Sequence, residues 1–426
     1  MGKVSYMKGV APVAIPRENV LDNTLTLLRE GYHYIPGRRR HFKSDIFQTR
    51  LLGQKVICIG GKEAAEVFYD EDKFTRIGAI PNRMKESLFG KNGVHVLEGN
   101  AHSHRKTMFM SLMTSERLSE LTALTEKQWE VAIADWQQKR RVILFPEAEK
   151  IMCRIACEWA GVPLWANELS QRTRDLSAMI DAFGAIGPRH WQGRIARNRS
   201  ERWIRRIIAQ VRSGELKPRE ETALYTFAWH RDLQDRLLDL QTAAVELLNI
   251  VRPIVAVGRF VTFGALAIND FPETKEKLRV GDDDYIRMFV QEVRRYYPFG
   301  PFLGAKVRSN FKWTGHQFKK GTLVLLDIYG TNHDPDLWDK PDEFRPERFD
   351  EWEGSPFDFI PQGGGYDMGH RCPGEWITID IMKVSLAFLA NRIDYNVPKQ
   401  NLDYSMVRMP SIPKSRFIMR DVAISS

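Results

Sequence analysis

From Thr242 to Ile268 the chain is almost continuously apolar, yet the run carries Glu246, Asn249, Arg252, Pro253 and Arg259. A segment of that length can span a bilayer, but charges at those depths are costly there. The alternative is a helix buried on all sides, and only a large core can enclose one. The rest of the chain can supply it. With 426 residues, 43% of them hydrophobic, it can build a sizeable core, which excludes disorder over most of its length. The run therefore predicts a core helix and no transmembrane segment.

Around that helix the sequence predicts a helical centre. Thr114-Ser115-Glu116-Arg117 reads as a helix start, with Thr or Ser as N-cap. Further helices are expected near 145–160, 167–184, 194–212, 235–269 and 284–296, and from Pro373 to about Asn391. Lys55–Ile59 and Gly321–Leu326 read as short strands. No linker, repeat or low-complexity tract appears. The expected fold class is mainly α with small β-sheets, in a single domain over 1–426, with β-rich pieces near the N-terminus and in the C-terminal half. Met1 to Pro16 has no continuous apolar stretch, and Pro12 and Pro16 interrupt it, so no signal peptide is expected. Tyr6 stands where myristoylation prefers Ser or Thr. Four cysteines exclude a disulfide scaffold and suit a reducing compartment, so a cytoplasmic location is expected.

The charge balance, 63 Lys+Arg against 54 Asp+Glu, gives +9 and favours anionic partners. Arg38-Arg39-Arg40-His41 follows what reads as a Pro36-Gly37 turn, and Arg189 to Arg206 is Arg-rich with Trp191 and Trp203 interleaved. Such stretches can bind nucleic acid, but no nucleic-acid module accompanies them. A solvated helix face with long side chains over apolar surface is the expected reading, with no nucleic-acid partner.

Cys372 is different from the other cysteines. Cys58, Cys153 and Cys157 lie among apolar residues and read as small buried hydrophobes. Cys372 ends the Gly-rich run Gln362-Gly363-Gly364-Gly365-Tyr366-Asp367-Met368-Gly369-His370-Arg371, and Pro373 and Gly374 lead into an apolar helix. A thiol at a helix start is stabilised as thiolate by the dipole and free N–H groups. Glycines let the backbone approach something large and flat. His370 and Arg371 add positive charge. These are the needs of a haem iron held by a thiolate, with its propionates answered by cations.

The loop resembles the haem-ligand loop of the cytochrome P-450 superfamily, and the resemblance extends over nearly the whole chain. Glu292-Val293-Arg294-Arg295 is similar to that family's Glu-x-x-Arg, and Phe344-Arg345-Pro346-Glu347-Arg348-Phe349 to its Pro-Glu-Arg-Phe region. The resemblance implies the P-450 fold, a triangular helical prism around a haem b ligated by Cys372. It also implies that Glu292, Arg295 and Arg348 form a structural network without a catalytic role. His370 and Gly374 match the family loop; Gly365 and Met368 stand where it usually has Phe and Gly. No Cys-x-x-Cys-His occurs, so the haem would lack thioether links.

Oxygen-activating members carry an acid–alcohol pair on the helix over the haem, whereas here Arg252-Pro253 stands in its place. Arg252 has Leu248, Asn249, Val255 and Ala256 at i±3 and i±4, none of them acidic. A buried guanidinium needs an anion, and its fork suits a carboxylate. An Arg paired with a distant acid, or reaching the surface, is the alternative; Arg259 is equally isolated along its helix. Pro253 removes a backbone N–H and opens the helix there. Arg-Pro at this point resembles the fatty-acid peroxygenase and decarboxylase branch. So do the Gln-Gly-Gly-Gly loop, Leu88-Phe89-Gly90-Lys91 and the run from Arg105 to Met113. That resemblance implies that the carboxylate of a long-chain fatty acid, bound by Arg252, supplies the missing acid–base group. Hydrogen peroxide would be the co-substrate, with no obligatory reductase. Products would be α- or β-hydroxy acids, or terminal alkenes by decarboxylation. It further implies that His95 and Phe89 line the substrate pocket, with His95 able to donate a proton or a hydrogen bond, and that His102 and Lys106 face a propionate. The rivals are a redox-partner-dependent monooxygenase and a non-enzymatic haem or fatty-acid binding protein.

Overall fold

The structure, a computed structural model, describes residues 14–280 and 283–425; the N-terminal reading over residues 1–13 lies outside them. The apolar run forms one helix, Leu240–Asp270. Asp239 caps it by accepting from the Thr242 N–H at 2.9 Å, one of the donors a helix start leaves free. The helix runs on through Pro253 and is buried along almost its whole length. It is also the one helix among the described residues long and apolar enough to cross a membrane, and 94% of its most apolar window is buried inside the protein. Helices Leu144–Ala160, Leu169–Asp181, Pro188–Arg212 and Glu375–Ala387 pack on it. The last crosses closely at Gly264, where a Cβ would collide with the Leu386 side chain.

The β-structure is small and peripheral. A five-stranded sheet has the order Ile46–Leu51, Gln54–Ile59, Leu323–Asp327, Phe302–Val307, Phe74–Thr75. Its one parallel pair sets Val56 to Ile59 against Leu323 to Leu326. Arg141–Ile143, Ile418–Ile424 and Ile393–Asn396 make a three-stranded antiparallel sheet.

Three local expectations are corrected. Pro36 and Gly37 make no turn; both lie inside the helix Tyr34–Phe42, where Pro36 sits in the first turn and needs no intrahelical donor. The helix after Cys372 begins at Glu375, with Gly374 as its N-cap, so Pro373 lies before it. That helix ends at Ala387 and passes into a π-turn, Phe388–Arg392. The Arg-rich run is not simply a solvated face. Arg197 is 1% exposed, Arg199 pairs with Asp175, and Arg189 donates to the carbonyls of Asp181 and Met409.

Candidate active site

A cavity of about 360 Å³ lies between the long helix and the Cys372 loop. The ten residues singled out for haem and substrate all line it. Cys372, His370, Arg371 and Gly374 come from the loop, His102 and Lys106 from the helix Gly99–Met110, and Arg252 and Pro253 from the long helix. Phe89 and His95 close one side. Glu292, Arg295 and Arg348 lie outside it.

Cys372 is half-buried; desolvation pushes its thiol pKa up, and the Gly374 N–H, hydrogen-bonded to it, works in the opposite direction. Gln362 Nε2 stands 3.9 Å from the sulfur and donates to Thr378 Oγ1 at 3.0 Å. The loop glycines serve the chain itself. Side chains at Gly363 and Gly365 would meet Tyr69, whose hydroxyl accepts from the Gly364 N–H at 2.8 Å. Only Gly374 faces open space there. Arg371 is turned toward Glu375, at 2.7 Å, and Glu375 also holds Arg294.

Beside the loop the chain gathers nitrogen-bearing side chains, with the exposed Glu71 carboxylate within 4.8 Å of the two imidazoles of His102 and His370. The rings of His102 and His370 pack with centroids 4.2 Å apart. Lys106 Nζ donates to the Arg371 carbonyl, and buried Arg76 has an Nη1 with no partner. Burial first, then neighbouring positive charge, pushes His102 down to about 4 and His370 to about 2. Lys106 is pushed down to about 8, mainly by burial. Lys106 and Arg76 bring positive charge and the two neutral imidazoles bring N–H donors, and haem propionates are anions that such a set can hold. The residues present therefore fit a haem held by Cys372, with His102, Lys106 and His370 at the cavity wall toward its carboxylates and the charge of Arg76 behind the two histidines. Sequence reasoning missed Arg76; nothing around it marks it from the other surface-biased arginines.

On the opposite side, Arg252 is 5% exposed and donates to the Leu88 carbonyl. Among the described residues no carboxylate lies within ion-pairing distance of it. Burial, and then the charge of Arg197, pushes its pKa down to about 9. The nearest long-helix acid, Glu246, is taken by Arg105 at 2.7 Å and by Asn249. Phe89 lies under Arg252, whose guanidinium carbon is 5.8 Å from the ring centre. His95 packs on Phe89 at 4.9 Å, and its Nδ1 is buried without a partner. Burial, then Arg252 and Arg197, push His95 down to about 3. A shift in that direction favours the neutral ring near pH 7, in which one nitrogen donates a hydrogen bond and the other accepts.

Arg259, isolated along its helix, proves to be paired across the fold, with Asp181 and with Glu149 at 3.5 Å. Glu292, Arg295 and Arg348 also come together. Arg295 grips Glu292 with two bonds of 2.7 Å, and Arg348 Nε reaches the same carboxylate at 3.2 Å.

Residues 282–413 match the cytochrome P-450 family. The chain is 46% identical to the solved structure of cytochrome P-450EX alpha (CYP152N1) with myristic acid, covering 97% of this chain and 100% of that one, with a TM-score of 0.94. It is 39% identical to a variant of cytochrome P-450 OleT in complex with arachidonic acid, over 97% and 99% of the two chains, with a TM-score of 0.95. Psoralen synthase of Pastinaca sativa is 30% identical over 139 residues, so that match spans 31% of this chain and only 29% of that protein.

Proposed function

Because the chain belongs to the cytochrome P-450 family, we propose that it is a haem-thiolate fatty-acid peroxygenase, oxidising long-chain fatty acids at Cα or Cβ with hydrogen peroxide. The observation that carries this reading is Arg252, a buried guanidinium at the cavity wall with no acid among the described residues to neutralise it. The bound fatty acids of two full-length relatives support it. The haem, when bound, supplies the oxidising chemistry. The chain supplies the placement.

Arg252 takes the fatty-acid carboxylate in its fork and orients it, so that the substrate's first carbons sit deepest in the site. Held there, the carboxylate accepts and returns the proton of hydrogen peroxide, the work for which the long helix carries no acid–alcohol pair. Pro253 beside it is part of the wall. The apolar chain runs along Phe89, Ile180 and Phe299, which line the same cavity. Neutral His95 donates one hydrogen bond near Cβ and biases product between hydroxy acid and alkene. Cys372 would hold the haem iron, and with peroxide as oxidant no reductase would be needed.

The test is incubation of haem-loaded protein with myristic acid and hydrogen peroxide alone, with products identified by mass spectrometry. Hydroxy acid or alkene is expected. Product only when an electron-transfer protein is added would favour a conventional monooxygenase. Binding without peroxide consumption would leave a carrier protein.

A further inference from the structure

Arg197 lies in the Arg-rich helix, 1% exposed, and does not line the cavity. Its Nη1 donates to the Leu88 carbonyl at 2.8 Å. Arg252 donates to that same oxygen. A carbonyl offers two lone pairs, so the two guanidiniums fill one acceptor between them and stand within two hydrogen-bond lengths of each other. Only Arg197 has a counter-charge, Glu201, which is itself held by Gln241 at 2.7 Å. The fit is built for a guanidinium. Gly90, at φ +82°, leaves the space that Arg197 Nη2 occupies, and a Cβ there would collide with it. That Nη2 has no hydrogen-bond partner.

We propose that Arg197 is a positioning residue for the carboxylate site: it fixes the Leu88 carbonyl on which Arg252 rests and adds a second buried positive charge that favours an anionic substrate. The inference rests on the reading of Arg252 as the carboxylate anchor. The physical content is simple. Arg252 spends one of its five N–H donors on Leu88, and the others remain for the ligand. Arg197 occupies the other side of the same oxygen and holds it by an independent anchor, so Arg252 has a defined rest position before substrate arrives. Its charge, shielded from water, repels Arg252 and attracts a carboxylate entering beside it. Glu201 tempers that attraction by partly neutralising Arg197.

The experiment compares binding of myristic acid with binding of myristyl alcohol to the haem-loaded enzyme by calorimetry. The two ligands share a chain and differ in charge. Arg197→Gln should weaken acid binding roughly tenfold, since a buried charge acting over a short distance is worth that much, and leave alcohol binding unchanged. Arg197→Lys, which keeps the charge and a donor, should restore most of the loss. Glu201→Gln removes the tempering charge and should tighten acid binding, an effect opposite to that of a damaged scaffold. Equal loss of acid and alcohol binding in Arg197→Gln, or weakened acid binding in Glu201→Gln, overturns the proposal. A parent enzyme that binds acid and alcohol equally would instead overturn the carboxylate reading of Arg252 itself.

Discussion

Arg295, on the helix Asp283–Tyr296, and Arg252, on the long helix at the cavity wall, are both buried arginines, and their surroundings are opposite. Arg295 is 1% exposed, and its donors are spent: two bonds to Glu292, and others to the carbonyls of Asn332, Pro341 and Glu343. Arg252 has one carbonyl and, among the described residues, no anion. Both pay the desolvation cost of burial, but only one recovers it within the chain. A fully matched buried charge fixes a fold, whereas an unmatched one at a cavity wall is matched by something that enters. Arg259 is a third case, about two turns further along the long helix and matched by Asp181 and Glu149.

The comparison can be broken most sharply at Arg295. Arg295→Met should destabilise the protein by about 3–5 kcal/mol, because Glu292 is left buried with only Arg348; denaturant unfolding measures it, and a change under 1 kcal/mol would place Arg295 with the functional arginines. Arg252→Leu should do the reverse. Stability should hold or rise, while peroxide-driven oxidation of fatty acids is lost and haem is retained. Fatty acid should raise the melting temperature of the parent and not of the variant, and methyl esters should be poor substrates.

A gentler test uses pH at Arg259. Burial raises the Glu149 carboxyl to about 7 against the pull of Arg259 and Ser177. Its folded-state pKa lies above its unfolded value, so the folded state holds the extra proton between the two. This group's contribution to stability is therefore full at low pH and is lost as pH rises from about 4.5 to about 7. Glu149→Gln should flatten that part of the stability profile; a slope unchanged in the variant would assign it elsewhere. The smallest effect is expected at His95. His95→Gln should lower the alkene fraction at unchanged affinity, where about 1.4 kcal/mol between competing routes shifts the ratio tenfold. With its pKa near 3, the product ratio of the parent should show no step between about pH 5 and 8. Such a step, absent in His95→Gln, would mean the ring titrates after all.

What was legible in the sequence was local. The buried helix followed from an apolar run with charges that a membrane would reject. The Cys372 site followed from a glycine-rich approach, flanking cations and a helix beyond. Arg252 was singled out because its helical neighbours are not acidic, but that criterion marked Arg259 equally. The partner of Arg259 is Asp181, 78 positions away, and only the fold brings it near. Arg197 was hidden for the same reason: its carbonyl partner is 109 positions distant, and in the sequence it is one arginine among many. The glycines of the cysteine loop were read as clearing a flat ligand, when two of them clear Tyr69. Composition identifies the need for space but does not say which ring fills it.

The unmatched charge of Arg252 also bears on how the protein exists inside a cell. Free long-chain acids are surfactants that partition readily into any dry pocket with a cation at its end, so the molecule should seldom travel empty. It should carry host lipid through purification, and the carried lipid should report on the membranes of the cell that made it. Affinity measured without first stripping that cargo would describe exchange of one acyl chain for another.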